Sequence, residues 1–175
     1  MGKRTKDEEG IDFICERMGF DPKVVYELTK MMLEQYSRSV AAGKVVEDFR
    51  SEEELLETKR QMRKDFLVIM KQPIDESRET QKKLLFQISE YKWLSDLKNF
   101  VLDAMEEYGE YGPIYRKILE FCYMVRKRLT HHEIASEIGL SPSTITNKKR
   151  EAIKLFGIYS YRLAALRDEE EDIEK

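Results

Sequence analysis

The residues with the most legible chemistry lie between Thr130 and Phe156, in the stretch THHEIASEIGLSPSTITNKKREAIKLF. Ser143, Thr146, Asn147 and Arg150 recur at intervals of three and four or combinations of them, so a helix presents them on one side. These are side chains that base edges accept. An Asn amide pairs bidentately with adenine, an Arg fork with guanine, and a Ser or Thr hydroxyl with either base or phosphate. Lys148, Lys149 and Lys154 flank the same face, and Arg126, Lys127 and Arg128 precede it; both groups suit backbone phosphates. Ser141, Thr144 and His131 sit at helix starts, where unpaired N–H groups also favour phosphate. The expectation is a base-reading set of Ser143, Thr146, Asn147 and Arg150. Around it stand phosphate contacts from Arg126, Lys127, Arg128, His131, Ser141, Thr144, Lys148, Lys149 and Lys154. Removal of Lys154 should then weaken binding to all sequences alike.

The elements that must hold this set are written in the same stretch. Thr130 and Glu133 have the spacing of a capping box, so a helix starts at His131 and turns Ile134, Ala135 and Ile138 inward. Gly139 supplies the left-handed residue that ends it, and Leu140 plugs the turn. Ser141 caps a second helix with Pro142 at its first position, and Ile145, Ala152, Ile153 and Phe156 form its buried face. Ala135 is small where two helices cross closely. The pattern predicts a helix-turn-helix whose second helix, 142–156, enters a major groove.

Charge is distributed in keeping with that reading. The chain has 31 Lys and Arg against 34 Asp and Glu, a net charge of -3. From Ile114 to Phe156, however, nine basic residues face four acidic ones. Residues 168–174, DEEEDIE, then bring six carboxylates. A solvated tail is the ordinary reading of such a run; a functional one is competition with DNA for the basic face, or contact with a basic surface of RNA polymerase.

Other chemistries find little support. His131 and His132 are the only histidines, adjacent helical residues point about 100° apart, and no cysteine is near them in sequence, so no metal site is expected. Cys15 and Cys122 each lie in an apolar helical pattern and read as buried thiols. There is no glycine-rich phosphate loop and no G-x-S-x-G elbow, so neither a cofactor nor an enzymatic activity is expected.

The 175 residues suffice for one ordinary domain or two small ones, and 37% of them are charged against about 25% in typical globular domains. No apolar run has the length of a membrane span, and MGKRTKDEEG lacks the apolar stretch of a signal peptide. The chain is expected to be soluble and intracellular. Period 3.6 dominates, which predicts an all-α protein. Asp21-Pro22 opens a helix with Val24, Val25, Leu28, Met31, Met32, Tyr36 and Val40 as its stripe, stopped at Gly43. Ser51 to Glu54 opens a second, ended by Pro73; from about Ser77 a stripe runs from Leu84 through Ile88, Tyr91 and Val101 to Tyr108. That stripe serves as core or as a dimer interface, and the Met31-Met32 pair as core or a partner groove. Gly109 to Pro113 is the clearest break. It divides the chain into a disordered tail (1–10), a helical N-terminal domain (11–112), the helix-turn-helix domain (113–167) and an acidic, disordered tail (168–175). Within the third, a helix is expected over 114–128 and a final one over 159–166.

From Tyr115 to Phe156 the chain resembles the helix-turn-helix of sigma-factor region four, which reads the −35 promoter element. More narrowly, Ser141-x-x-Thr144 followed by Lys149-Arg150-Glu151-Ala152-Ile153 resembles the ArpU/RinA-like phage regulators, small activators of late genes in phages and prophages of Gram-positive bacteria. The stretch ELTKMMLEQYSRSVAAGK is loosely similar to a helix near the start of such proteins. Region four of sigma factors typically has an apolar residue where this chain has Lys149, and the phage regulators have one where it has Lys148. One of the two lysines must therefore snorkel past the hydrophobic seam, and the other reaches DNA. The resemblance implies a sequence-specific regulator of transcription that binds double-stranded DNA. Its N-terminal half would supply homodimerisation or contact with RNA polymerase. The alternatives are a DNA-packaging recognition subunit of the small-terminase type and an adaptor of RNA polymerase that does not bind DNA.

Overall fold

The computed structural model describes residues 4–43, 51–71, 79, 81–83, 85–87 and 92–174. All regular structure among them is helical. Helix α1 spans Lys6–Arg17, α2 Pro22–Ala41, α3 Glu52–Ile69, α4 Lys92–Glu106 and α5 Gly112–Leu119, which runs on into one π-helical turn, Glu120–Met124. Helices α6 (His131–Ile138) and α7 (Pro142–Ile173) complete the order. The starts follow the cap residues: Asp21 accepts the Lys23 N–H at 2.9 Å, and Ser51 the Glu54 N–H at 3.3 Å.

Helix α7 is the centre of the molecule, and α1 to α6 all pack against it. The reason lies in its middle: every residue from Glu151 to Ile158 is buried, so this segment has no solvent face. A helix enclosed all round must be covered on several sides at once. Ile11 and Cys15 of α1, Val25, Leu28 and Met32 of α2, Phe66 of α3, Val101 and Met105 of α4 and Tyr115 and Ile118 of α5 share one buried cluster with Ile153 and Phe156. Met32 is core, while Met31 packs at its edge. The corner at Gly109–Pro113 thus joins helices of a common core.

Several expectations are corrected. Residues 6–10 form the first turns of α1, because Ile11 and Cys15 are fully buried and the acidic side chains beside them find cations on α7. The acidic tail is the last part of α7, which stays helical to Ile173; buried Arg63 of α3 binds Asp168 and Glu171, and Arg60 adds a bond to Glu171 at 3.2 Å. The helix expected over 114–128 leaves α-geometry after Leu119 and is extended at Val125, and the one over 159–166 is a continuation of α7. In the stripe ending at Tyr108, Leu85, Leu94, Val101 and Met105 are buried within the chain, which removes them from a dimer interface. The stop at Pro73, the start near Ser77 and the positions of Leu84, Ile88 and Tyr91 lie outside the described residues.

Helices α2 and α7 approach closely at Gly157. A Cβ there would stand 2.2 Å from Thr29 Oγ1 and 2.9 Å from Val25 Cγ1. Gly157→Ala is expected to cost about 1–2 kcal/mol in urea unfolding, overpacking exceeding the gain in helix propensity. Thr29→Ala in the same chain should recover much of that loss, since it removes the obstructing hydroxyl, which is buried without a hydrogen bond among the described residues.

Candidate nucleic-acid interface

The two helices that carry the candidate residues are joined as their caps direct. Thr130 Oγ1 accepts the Glu133 N–H at 3.2 Å, and Glu133 Oε2 accepts the Thr130 N–H at 2.7 Å. Gly139 ends α6 in the left-handed region with φ of 81°, and its N–H donates to Ala135 O at 2.8 Å. Ser141 Oγ accepts the Thr144 N–H at 3.2 Å to start α7. Ile134 and Ala135 of α6 and Ile145, Ala152, Ile153 and Phe156 of α7 are buried; Ile138 and Leu140 pack at the margin.

The first turns of α7 leave a polar surface open. Ser143 and Thr146 are exposed and Asn147 is half-buried. Thr146 Oγ1 donates to Pro142 O at 3.1 Å and stands 3.3 Å from His131 Nδ1, linking the two helices. Ser141 and Thr144 are tied to each other by a 2.7 Å hydroxyl contact. Arg126, Lys127 and Arg128 are exposed in the segment before α6. Arg128 and Lys149 both lie over the ring of buried Tyr123, at 5.2 and 5.3 Å from its centroid. Burial, with Lys149 and His132 nearby, lowers the pKa of His131, so its ring is more readily neutral than a free imidazole.

The other half of the expected set is engaged with α1. Lys148 is buried: its Nζ binds Asp7 at 2.9 Å and Glu151 at 3.1 Å and sits 3.7 Å from the centre of the Tyr111 ring. Lys154 is also buried, between Glu8 at 2.9 Å and Asp12 at 2.8 Å. Neither is placed as a phosphate contact, because each already neutralises carboxylates and is itself almost fully buried. Lys149, not Lys148, is therefore the lysine left beside the open face. Arg150 is not a free arm either. Its Nε and Nη2 donate to the two oxygens of Glu8, at 2.9 and 2.7 Å, and Nη2 reaches Asn147 Oδ1 at 3.5 Å. Glu151, fully buried, gathers Lys148, the Tyr115 hydroxyl at 3.2 Å and the Thr5 hydroxyl.

Sequence reasoning missed the three carboxylates of α1 that do this, Asp7, Glu8 and Asp12. The available signal was Thr5-Lys6-Asp7-Glu8, a capping-box spacing ahead of the apolar pair Ile11 and Cys15. Thr5 does accept the Glu8 N–H at 3.0 Å, while the Glu8 side chain turns to α7. Burial by itself would raise the Glu8 pKa, yet the bonds and charges of Arg150 and Lys154 hold it at about 2 instead of the ordinary 4.5. Burial and the Asp12 charge push the Cys15 thiol up to about 12, leaving it inert at neutral pH.

Among the described residues no cluster of His, Cys, Asp and Glu could hold a metal ion, and no helix is long and apolar enough to cross a membrane. Comparison with protein families, curated proteins and solved structures finds no match for this chain.

Two outcomes follow from the α1–α7 seam. Lys154→Ala should destabilise the fold by about 3–5 kcal/mol, because it leaves two buried carboxylates short of a cation. Because the Glu8 pKa is depressed on folding, its stabilisation is present above about pH 4.5 and is lost as pH falls towards about 2. Urea unfolding followed across that range should show the loss in the native chain and a smaller one in Glu8→Gln.

Proposed function

We propose that this chain is a sequence-specific regulator of transcription that binds double-stranded DNA through a helix-turn-helix formed by α6 and α7, as the ArpU/RinA-like resemblance implies. The observation that carries the reading is the open polar face at the start of α7. Ser143 and Thr146 are exposed and Asn147 is half-buried there, uncharged hydrogen-bonding groups on a helix whose Lys148, Arg150 and Lys154 are engaged with carboxylates. Donors and acceptors at a helix surface beside unpaired cations are the groups that base edges and phosphates in a major groove accept.

The remaining cations set the strength of docking. Arg126, Lys127, Arg128 and Lys149 carry no salt bridge among the described residues, while Lys148, Arg150 and Lys154 are neutralised. Four phosphate contacts give a salt dependence with a slope of about −3 to −4 in log K against log salt. All seven cations acting together would give about −6.

Selection of bound sequences from a random duplex pool tests the reading directly. On the selected site, Asn147→Ala should cost about 1–3 kcal/mol and blur one base position. Replacing Arg126 and Lys127 together with alanine should weaken selected and unrelated duplexes alike and flatten the salt slope by about 2 units. An unenriched pool, with binding insensitive to salt, would exclude DNA and favour an adaptor that binds RNA polymerase directly.

A further inference from the structure

We infer that Glu8, on the N-terminal helix, is a positioning residue that sets the base preference of Arg150; the inference rests on the DNA-binding reading above. The observation is an alternating row of charges that starts at Arg4, just before α1, and ends at the open face of α7. Arg4 binds Asp12 at 2.9 Å, Asp12 binds Lys154 at 2.8 Å, Lys154 binds Glu8 at 2.9 Å, and Glu8 holds Arg150 through both oxygens. Glu8 is 5% exposed and Lys154 7%, so the inner links are fixed by burial, whereas Arg150 at 27% reaches solvent.

The geometry of the fork decides what Arg150 has left to offer. Glu8 occupies the edge made by Nε and Nη2, and Nη1 has no partner among the described residues. At the end formed by Nη1 and Nη2 the second Nη2 hydrogen meets only Asn147 Oδ1, at 3.5 Å, and giving up that long contact leaves two N–H groups side by side to match the paired acceptors O6 and N7 of guanine. Glu8 changes this arginine in two further ways. It fixes the rotamer before any ligand arrives, so less side-chain freedom is lost on binding. It also cancels the net charge of Arg150 without removing its donors. An arginine with an unpaired charge is drawn to phosphate anywhere along a duplex, whereas one whose charge is balanced is held by direction alone. Direction differs between bases and charge does not.

The surroundings favour the same division of labour. Arg150 also lines a groove whose walls carry Glu16, Asp21 and Glu27 alongside Arg4 and Lys23. Acidic and basic side chains nearly balance there, so the groove offers no net cationic track for a phosphate strand. Asn147, joined to Arg150 through Oδ1, is then its nearest neighbour in the readout.

The test compares the full chain with Glu8→Gln, Arg150→Ala, Arg150→Lys and the Glu8→Gln/Arg150→Ala pair in duplex selection and in titrations of the selected and an unrelated duplex. Glu8→Gln should erase a preference for guanine at one position and lower affinity for the selected duplex roughly ten- to a hundredfold. Affinity for the unrelated duplex should stay within about threefold of the native value. Arg150→Ala should erase the same preference, and the double variant should bind the selected duplex no more weakly than Arg150→Ala. Arg150→Lys, which keeps the charge but has no fork for Glu8 to orient, should weaken the guanine preference. If Glu8→Gln does not fold, Glu8→Asp, which keeps the charge and shortens its reach to Arg150, decides the matter by weakening that preference while the unrelated duplex is bound as before. The inference is overturned if Glu8→Gln strengthens binding to both duplexes by tenfold or more, which would make α1 a lock over the cations. It is equally overturned if Glu8→Gln, or Glu8→Asp in its place, keeps the full guanine preference. Failure of the underlying reading looks different: the native chain itself would then enrich no sequence.

Discussion

An ion leaves water at a large cost, and it stays buried only where opposite charges and hydrogen bonds meet it on all sides. The seam between α1 and α7 fulfils that condition by alternation. Asp7, Glu8, Asp12 and Glu151 are interleaved with Arg4, Lys148, Arg150 and Lys154, so no two like charges are left adjacent without a counterion between them. The seam is closed by hydroxyls from Thr5 and Tyr115 on Glu151 and by the Tyr111 ring against Lys148. Once one member is fixed, the others have few places to go. This network fastens the N-terminal helix and fixes how much of the positive charge of α7 faces outward.

That distribution reshapes the electrostatics of the candidate interface. A segment rich in Lys and Arg suggests a broad cationic surface, but its inner members are spent on carboxylates fewer than 13 residues from the N-terminus. Outward charge is concentrated in Arg126, Lys127, Arg128 and Lys149, with two of them over the face of Tyr123. The uncharged hydroxyls and amide of α7 lie next to this smaller patch. Outward positive charge and uncharged hydrogen-bonding groups thereby lie on different, neighbouring segments.

The length of α7 ties these local features to the rest of the molecule. Its first turns carry the polar face, its enclosed middle is the core, and its acidic end is bound by Arg60 and Arg63 of α3. A helix of 32 residues is about 48 Å long, so it spans the molecule as one rod. Gly157, which leaves room on α7 for the Thr29 and Val25 side chains of α2, lets that rod lie deep in the bundle.

Much of this was legible in the residues themselves because it depends on neighbours in sequence. The capping box at Thr130, the left-handed glycine at 139, the Ser141-Pro142 start and the inward positions Ile134, Ala135, Ile145 and Phe156 are all local rules, and the structure follows each of them. The helical character of the chain and the open positions of Ser143 and Thr146 come from the same periodicity. The α1 partners of Lys148, Arg150 and Lys154 were not legible, because they lie 141 to 146 residues away and a lysine destined for a buried ion pair has the same spelling as one destined for solvent. For the same reason the acidic stretches at both ends read as solvated tails, although Ile11 and Cys15 hold one and Arg63 the other in helices. Sequence decides where helices start and stop and which faces are apolar. Only the packing of α1 and α3 on α7 decides which charges meet, since that is settled by distance in space and by exclusion of water.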